Sequence, residues 1–296
     1  MKAVFYGHVA KDKIHNRIRA GGPPNYGGVA LADYFGTKPI AVTSCSVSDI
    51  PFFLKETKDK VKYVVETAQE TTQFLIAEKK GLREMVLQER AADLTVFTEA
   101  DVAILSPICS ETNDHFVQMV RKNSEFLAID IQGFVRSRSR GHVVFRSVDD
   151  FKAIISADII KVSDYELPYL VSARFWSDGV QESLELLLSK GAEGACVYAK
   201  GVSYEIPAPV LPVVSSVGAG DVLLAFYAAL RARQEVIPKA LSIAMAAAAI
   251  STGYGGLPHS MAAQKIEELG HHLASKCHKE PASFQEIYLD NNSPRH

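Results

Sequence analysis

Short apolar runs alternate along the chain with stretches in which apolar residues return every three or four positions. The runs at 3–6, 40–44, 102–106, 126–130, 159–162 and 195–199 read as strands, and the stretches at 26–35, 112–122, 149–156, 166–173 and 180–190 read as helices. The last third is mainly helical, over 220–233, 238–252 and 261–276, and Pro238 suits a first helical turn. Alternation of this kind predicts an α/β fold, a three-layer α/β/α arrangement with a mostly parallel central sheet and helices on both faces. One region breaks the rhythm. Residues 71–77 and 83–88 are β-prone and lie either side of Glu78-Lys79-Lys80-Gly81, and 13–19 is extended and polar in its alternation. These segments predict a small β-sheet lid, formed by about 12–20 and 61–90 and inserted in a single domain spanning 1–296. An edge hairpin of the main sheet is the alternative. After about 279 no pattern is visible.

The apolar share, 47% of 296 residues, is that of a globular protein, and the length suits one large α/β domain or two small ones. The formal charge is −2 and no Lys/Arg block stands out, so neither nucleic acid nor an anionic membrane is an expected partner. Cys45, Cys109, Cys196 and Cys277 show no CxxC spacing and read as free thiols in a cytoplasmic protein. The apolar run near the N-terminus is too short for a signal peptide, and 240–252 is too short to span a bilayer. Asn291 heads an N-x-S sequon, which carries little meaning in a cytoplasmic protein.

Open α/β sheets bind ligands at the carboxyl ends of their strands. Several predicted strands end in polar residues there: Ser106, then Asp130 with Gln132 and Gly133, then Ser163-Asp164-Tyr165-Glu166. The sharpest signal is Gly218-Ala219-Gly220-Asp221, directly before an apolar helix. Small residues there let the unpaired N–H groups of a first helical turn reach an anion, most naturally a phosphate. A carboxylate beside a phosphate site repels the ligand unless it has a task. Removing a proton from an attacking hydroxyl, or holding Mg²⁺ through water, are such tasks. The base role fits the placement better, with the helix dipole keeping the acid ionised. A plain N-terminal cap is the alternative. No G-x-x-x-x-G-K-[ST], G-x-G-x-x-G after the first strand, HExxH or G-x-S-x-G occurs, which disfavours P-loop, dinucleotide, zincin and α/β-hydrolase chemistries.

Taken in order, these segments resemble the ribokinase-like (pfkB) carbohydrate kinases. Gly7-His8-Val9-Ala10-Lys11-Asp12 is similar to that family's first strand, with Asp12 at the position that binds substrate hydroxyls. Gly21-Gly22, with Asn25 and Tyr26 following, resembles the di-glycine substrate motif. Glu166 matches the acid of an N-x-x-E element that organises Mg²⁺ through water, with Ser163 in place of asparagine. Ser189-Lys190-Gly191-Ala192-Glu193-Gly194 resembles a T-x-G-x-x-G nucleotide turn. Gly218-Ala219-Gly220-Asp221 is similar to the anion hole and catalytic base. Gly7-His8-Val9, Thr71-Thr72-Gln73-Phe74 and Asp130-Ile131-Gln132-Gly133-Phe134-Val135-Arg136 look like the inositol-kinase branch.

The resemblance implies an ATP- and Mg²⁺-dependent phosphotransferase acting on a small polyol or sugar, with myo-inositol or a similar cyclic polyol as acceptor. It implies catalysis by Asp221 with the amides of Gly218, Ala219 and Gly220. It also implies acceptor binding by Asp12, Gly21, Gly22, Asn25, Asp130 and Arg136, nucleotide binding at Ser163, Ser189, Gly191 and Gly194, and metal organisation by Glu166. A nucleoside kinase, with Tyr26 and Phe74 available to clamp a base, is a rival, as are a fructokinase or ribokinase and a non-catalytic sensor. Lid strands of the family often pair between subunits, so a homodimer through the lid is consistent with the resemblance. Ser215 stands where many members carry an aspartate that helps bind a monovalent cation, which puts potassium activation in doubt.

Overall fold

A computed structural model describes residues 1–14, 17–79, 82–139, 141–148, 153–170 and 183–282. Sequon Asn291 and residues 149–152, 171–173 and 180–182 of the expected helices lie outside the described residues.

The dominant element is a ten-stranded sheet in the order β16-β15-β14-β13-β12-β9-β8-β1-β4-β5. Its parallel part runs through β5 (Lys62–Thr67), β4 (Ile40–Cys45), β1 (Ala3–Tyr6), β8 (Ala100–Leu105), β9 (Ser124–Asp130), β12 (Ile159–Ser163) and β13 (Glu185–Ser189). Antiparallel strands β14 (Gly194–Ala199), β15 (Val202–Pro207) and β16 (His278–Pro281) extend one edge.

Period-2 alternation sorts the strand residues into two cores. Phe5, Val102, Ile104, Ile159 and Leu187 pack with helices α1 (Pro23–Phe35), α6 (Ala219–Ala232), α7 (Ile237–Ser251) and α8 (Ala263–Ala274). Val4, Tyr6, Leu105, Ile129, Ile160, Leu186 and Leu188 point the other way, against α3 (Asp114–Lys122) and α5 (Leu167–Leu170). The expected three-layer architecture is therefore present, because both faces of the central strands are buried.

A second sheet of six strands stands off the first, in the order β10-β11-β7-β6-β2-β3. It is built from β2 (Ala10–Ile14), β3 (Arg17–Gly21), β6 (Thr72–Lys79), β7 (Leu82–Glu89), β10 (Arg136–Ser139) and β11 (His142–Phe145). The β6–β7 hairpin falls where the sequence places it. Two boundaries differ from the expected 12–20 and 61–90. Lys62–Thr67 pairs in parallel with β4 and closes the edge of the large sheet. The small sheet also recruits 136–145, directly after the short helix α4 (Gln132–Val135), so Arg136 is carried on it. Phe74, Leu87, Ile108 and Cys109 form a small apolar cluster on the small sheet and the loop after β8.

The helix expected over 180–190 is corrected: Glu185–Ser189 is a strand, paired with β12 on one side and β14 on the other. A run of three leucines fits either element by pattern. Burial of Leu187 on one face and of Leu186 and Leu188 on the other decides it. Residues 278–281, beyond the visible pattern, are held by β15. The four cysteines are free thiols, Cys45, Cys109 and Cys196 buried and Cys277 half-buried. Among the described residues, no helix is long and apolar enough to cross a membrane.

Candidate active site

A cavity of about 100 Å³ lies between the small sheet and the start of α6, lined among others by Asp12, Gly22, Tyr26, Phe74, Arg136 and Asp221. Ile76, Met85 and Ile108 add apolar wall, and Gln132, Val217 and Gly218 complete the floor. Polar and apolar groups thus share the lining.

The turn before α6 shows why its residues are small. Gly218 is the N-cap, in the left-handed region at φ 83°. A Cβ there would lie 2.2 Å from Cγ and Cδ1 of Tyr26, inside the ring. A Cβ on Gly220 would meet the Lys161 ammonium at 3.2 Å. The glycines make room for neighbouring side chains as well as for any ligand. Asp221 follows in the first helical turn and has no hydrogen bond or ion pair to any described residue. Capping therefore does not explain it; the N-cap residue is Gly218, and no side chain makes a capping hydrogen bond. Burial, reinforced by the nearby Asp130 carboxylate and opposed by Lys161 and Arg136, raises the Asp221 carboxyl to about 7. The expectation that the helix dipole keeps this acid fully ionised is corrected, since burial outweighs the dipole.

Behind the turn lies a buried charge network. Lys161 reaches Asp130 at 2.8 Å, with the two side chains 7% and 0% exposed. Asp130 Oδ1 also accepts from the Gln132 amide at 3.1 Å. Glu166 Oε2 accepts from the Ser163 amide at 3.0 Å and the Ser163 hydroxyl at 2.8 Å. Its Oε1 faces Arg136 Nη2 at 3.6 Å. Burial pulls the Lys161 ammonium down in pKa, and Asp130 and Glu166 more than reverse this, so the lysine stays charged. Burial would likewise raise the Glu166 carboxyl; Lys161, Arg136 and Ser163 outweigh it and hold the group below its usual value. Two buried carboxylates share one buried ammonium, with Arg136 as the counter-charge at the cavity wall.

The residues expected from sequence divide into groups. Asp12, Gly22, Arg136, Gly218 and Asp221 line the cavity. Gly21 contributes by absence: a Cβ there would overlap the Asp12 carboxylate at 2.0 Å. Asn25 is corrected. It is fully buried, its amide nitrogen donates to the Gly21 carbonyl at 2.7 Å, and its oxygen accepts from the Tyr63 hydroxyl at 2.6 Å, so it braces the di-glycine turn. Asp130, likewise expected at the acceptor, is fully buried against Lys161.

On the far side, Ser189 Oγ donates to the Val162 carbonyl at 3.4 Å, and its own carbonyl accepts from the Asp164 amide at 3.0 Å. Gly191, at φ 56°, has open space around it. Gly194, at φ 122°, abuts the Ile206 carbonyl, which a Cβ would meet at 2.0 Å. None of Ser163, Ser189, Gly191 and Gly194 lines the cavity. The sequence reading missed Lys161. The available signal was a lone cation in an otherwise apolar strand, Ile-Ile-Lys-Val-Ser.

A glycine–aspartate turn at a helix mouth, an isolated acid and a cavity beneath a small sheet define a phosphotransferase of the ribokinase-like fold. A family model for "pfkB family carbohydrate kinase" matches residues 53–264, and the chain belongs to that family. No curated protein matches. Among solved structures, a pyrophosphate-dependent myo-inositol-1 kinase, studied for its conversion to a myo-inositol-3 kinase, aligns with TM-score 0.76 at 24% identity, covering 92% of this chain and 99% of its own. Ribokinase from Thermotoga maritima aligns with TM-score 0.70 at 16% identity, covering 91% and 99%. Fructokinase from Xylella fastidiosa, solved with bound ATP, aligns with TM-score 0.70 at 17% identity, covering 91% and 98%. The protein is a carbohydrate kinase.

Proposed function

We propose that this kinase transfers a phosphoryl group from a Mg²⁺-bound polyphosphate to one hydroxyl of a small cyclic polyol, with myo-inositol or a close relative as acceptor. The observation that carries the reading is Asp221, an acid without a hydrogen-bond partner that opens into the cavity from the first turn of α6. The acceptor oxygen attacks the terminal phosphorus, the bridging P–O bond breaks, and the hydroxyl proton passes to an Asp221 carboxylate oxygen. The amides of Gly218 to Asp221 face the charge on the phosphoryl oxygens. Asp12 and the Gly21–Gly22 turn hold the acceptor, and the small sheet acts as a lid that keeps water from the phosphoryl group.

The residues present fit Mg²⁺ held through water. Glu166 is a hard carboxylate kept ionised, with Oε2 accepting from Ser163 and Oε1 3.6 Å from Arg136, so Oε1 would be able to accept from a metal-bound water. Bound there, the ion supplies charge neutralisation to the phosphates.

ATP is the donor that the sequence motifs suggest. Pyrophosphate is a second reading. The solved pyrophosphate-dependent myo-inositol kinase supports the same reading and the cyclic polyol with it. The test supplies Mg·ATP and Mg·pyrophosphate in parallel to myo-inositol, ribose, fructose, adenosine and cytidine and follows phosphorylated product. Turnover of a cyclic polyol is the expected result. Turnover restricted to a nucleoside would replace the acceptor assignment, and tight acceptor binding without turnover by either donor would refute the kinase mechanism.

A further inference from the structure

The loop that follows β8, residues 107–111, fastens the small sheet to the large one. At its end is Glu111, fully buried. Its Oε1 accepts from the His8 and Ile108 amides at 3.1 and 2.8 Å, and its Oε2 from the Ile108 and Cys109 amides at 2.9 and 2.7 Å. Three amides on one carboxylate fix the backbone of the loop. His8 lies on the crossing from β1 to β2, and its imidazole extends the contact. Nε2 donates to the Ala92 carbonyl at 2.8 Å, just after β7, and Nδ1 accepts from the Thr72 hydroxyl at 2.8 Å, at the start of β6. His8, Cys109 and Glu111 are also close enough together to hold a metal ion. The hydrogen bonds argue against that use, since both Glu111 oxygens and both ring nitrogens are engaged.

From this anchored loop Ser110 reaches toward the catalytic side. Its φ of 59° lies in the left-handed region, which a serine rarely adopts without a compensating contact. The contact is with α4 and β10. The Ser110 amide donates to the Gly133 carbonyl at 3.1 Å, and its hydroxyl lies 2.9 Å from the Arg136 carbonyl and 3.2 Å from that of Gly133. Gly133 lets the two backbones meet, since a Cβ there would lie 2.3 Å from the Pro107 carbonyl carbon. From the other side, Arg90 donates to the Ser110 carbonyl at 2.7 Å. Arg136 lines the cavity at Asp221 and faces Glu166 at 3.6 Å, whereas Ser110 and Glu111 do not line that cavity.

We propose that Ser110 is a positioning residue for phosphoryl transfer: on a loop held by Glu111, its hydroxyl fixes the backbone of Arg136 and so sets the guanidinium between the acceptor cavity and Glu166. Ser110 touches no substrate and acts through Arg136. The inference rests on the proposed kinase reading, which gives Arg136 its task.

The test measures kcat and KM for myo-inositol, or for whichever of ribose, fructose, adenosine and cytidine the wild type phosphorylates, with Mg·pyrophosphate and with Mg·ATP. The variants are Ser110→Gly, Arg136→Gln and the two combined. Glycine suits the left-handed backbone, so Ser110→Gly removes the hydroxyl alone and is expected to melt at the temperature of the wild type. Ser110→Ala removes the same hydroxyl and serves as the second variant. The expected result is an acceptor kcat/KM about tenfold lower in Ser110→Gly, the worth of one hydrogen bond, with no further loss when Ser110→Gly is added to Arg136→Gln. A purely structural serine would lower activity by the same factor in both backgrounds. That outcome, or wild-type kinetics in Ser110→Gly and Ser110→Ala, overturns the inference and leaves the kinase reading intact. Zinc bound stoichiometrically to the purified protein, and lost in Cys109→Ser, would make the loop a metal site and overturn the hydrogen-bonded anchor. Failure of every acceptor in the wild type overturns the kinase reading itself.

Discussion

The two ends of the crevice are built to different standards. At the Asp221 end, three glycines are each pressed by a specific side chain, Gly21 by Asp12, Gly218 by Tyr26 and Gly220 by Lys161, and Gly22 abuts the His8 carbonyl. The charges behind them are buried and mutually satisfied. At the 189–194 end, Gly194 is pressed by backbone alone, the Ile206 carbonyl, while Gly191 touches nothing and Lys190 pairs with Glu205, a side chain 52% exposed. The difference teaches where the chemistry is fixed. Under the proposed mechanism, placement of the reacting hydroxyl tolerates little error, whereas a turn that would only flank the donor is free to vary.

The comparison breaks most sharply at Asp221. Asp221→Asn is expected to lower kcat by about a thousandfold, within the range for losing a general base, while calorimetry still detects donor and acceptor binding. Retained turnover would move the base elsewhere. Lys161→Met, which strands the buried Asp130, is expected to cost about 3–5 kcal/mol in a denaturant melt. The matched change at the other end, Lys190→Met, removes an exposed pair worth about 0–1 kcal/mol. Equal losses at the two lysines would erase the contrast between the ends.

The pH profile sharpens the picture further. Asp221 must be ionised to take a proton, and burial sets its carboxyl to about 7. The kcat/KM value should therefore climb as pH rises toward about 7 and level off above it. Lys161 opposes that upward shift, so Lys161→Met, where it folds, should move the midpoint to higher pH. A profile flat from pH 5 to 9 would count against the assigned base. The smallest effect is expected at Gly191→Ala, where only the left-handed backbone is strained, at about 1–2 kcal/mol of stability and little change in rate.

Much of this was legible in the chain. The strand–helix alternation gave the three layers because period-2 and period-3.6 patterns are written locally. The Gly-Ala-Gly-Asp turn was legible because small residues before an apolar helix are costly without a purpose. Glu185–Ser189 was misread because a leucine run carries no period, and only its neighbours on both sides make it a strand. Asn25 and Asp130 sit at motif positions, yet their partners, Tyr63 and Lys161, are distant in sequence, and no local pattern shows that their polar atoms are already engaged. The hairpin at 136–145 pairs locally, but its place in the small sheet escaped for the same reason, since β7, which β11 joins, lies some fifty residues upstream.

The ring of Tyr26 against Gly218 has a consequence for how this chain can diverge. Any side chain at 218 collides with that ring and is also strained by the positive φ, whereas a smaller residue at 26 relieves the collision alone. Substitutions at the two positions therefore carry an order. Position 26 must shrink before 218 can be explored, and shrinking it first alters the wall that shapes the acceptor cavity. A lineage moving toward a new acceptor through this wall would thus open, by the same step, access to variants of its own catalytic turn.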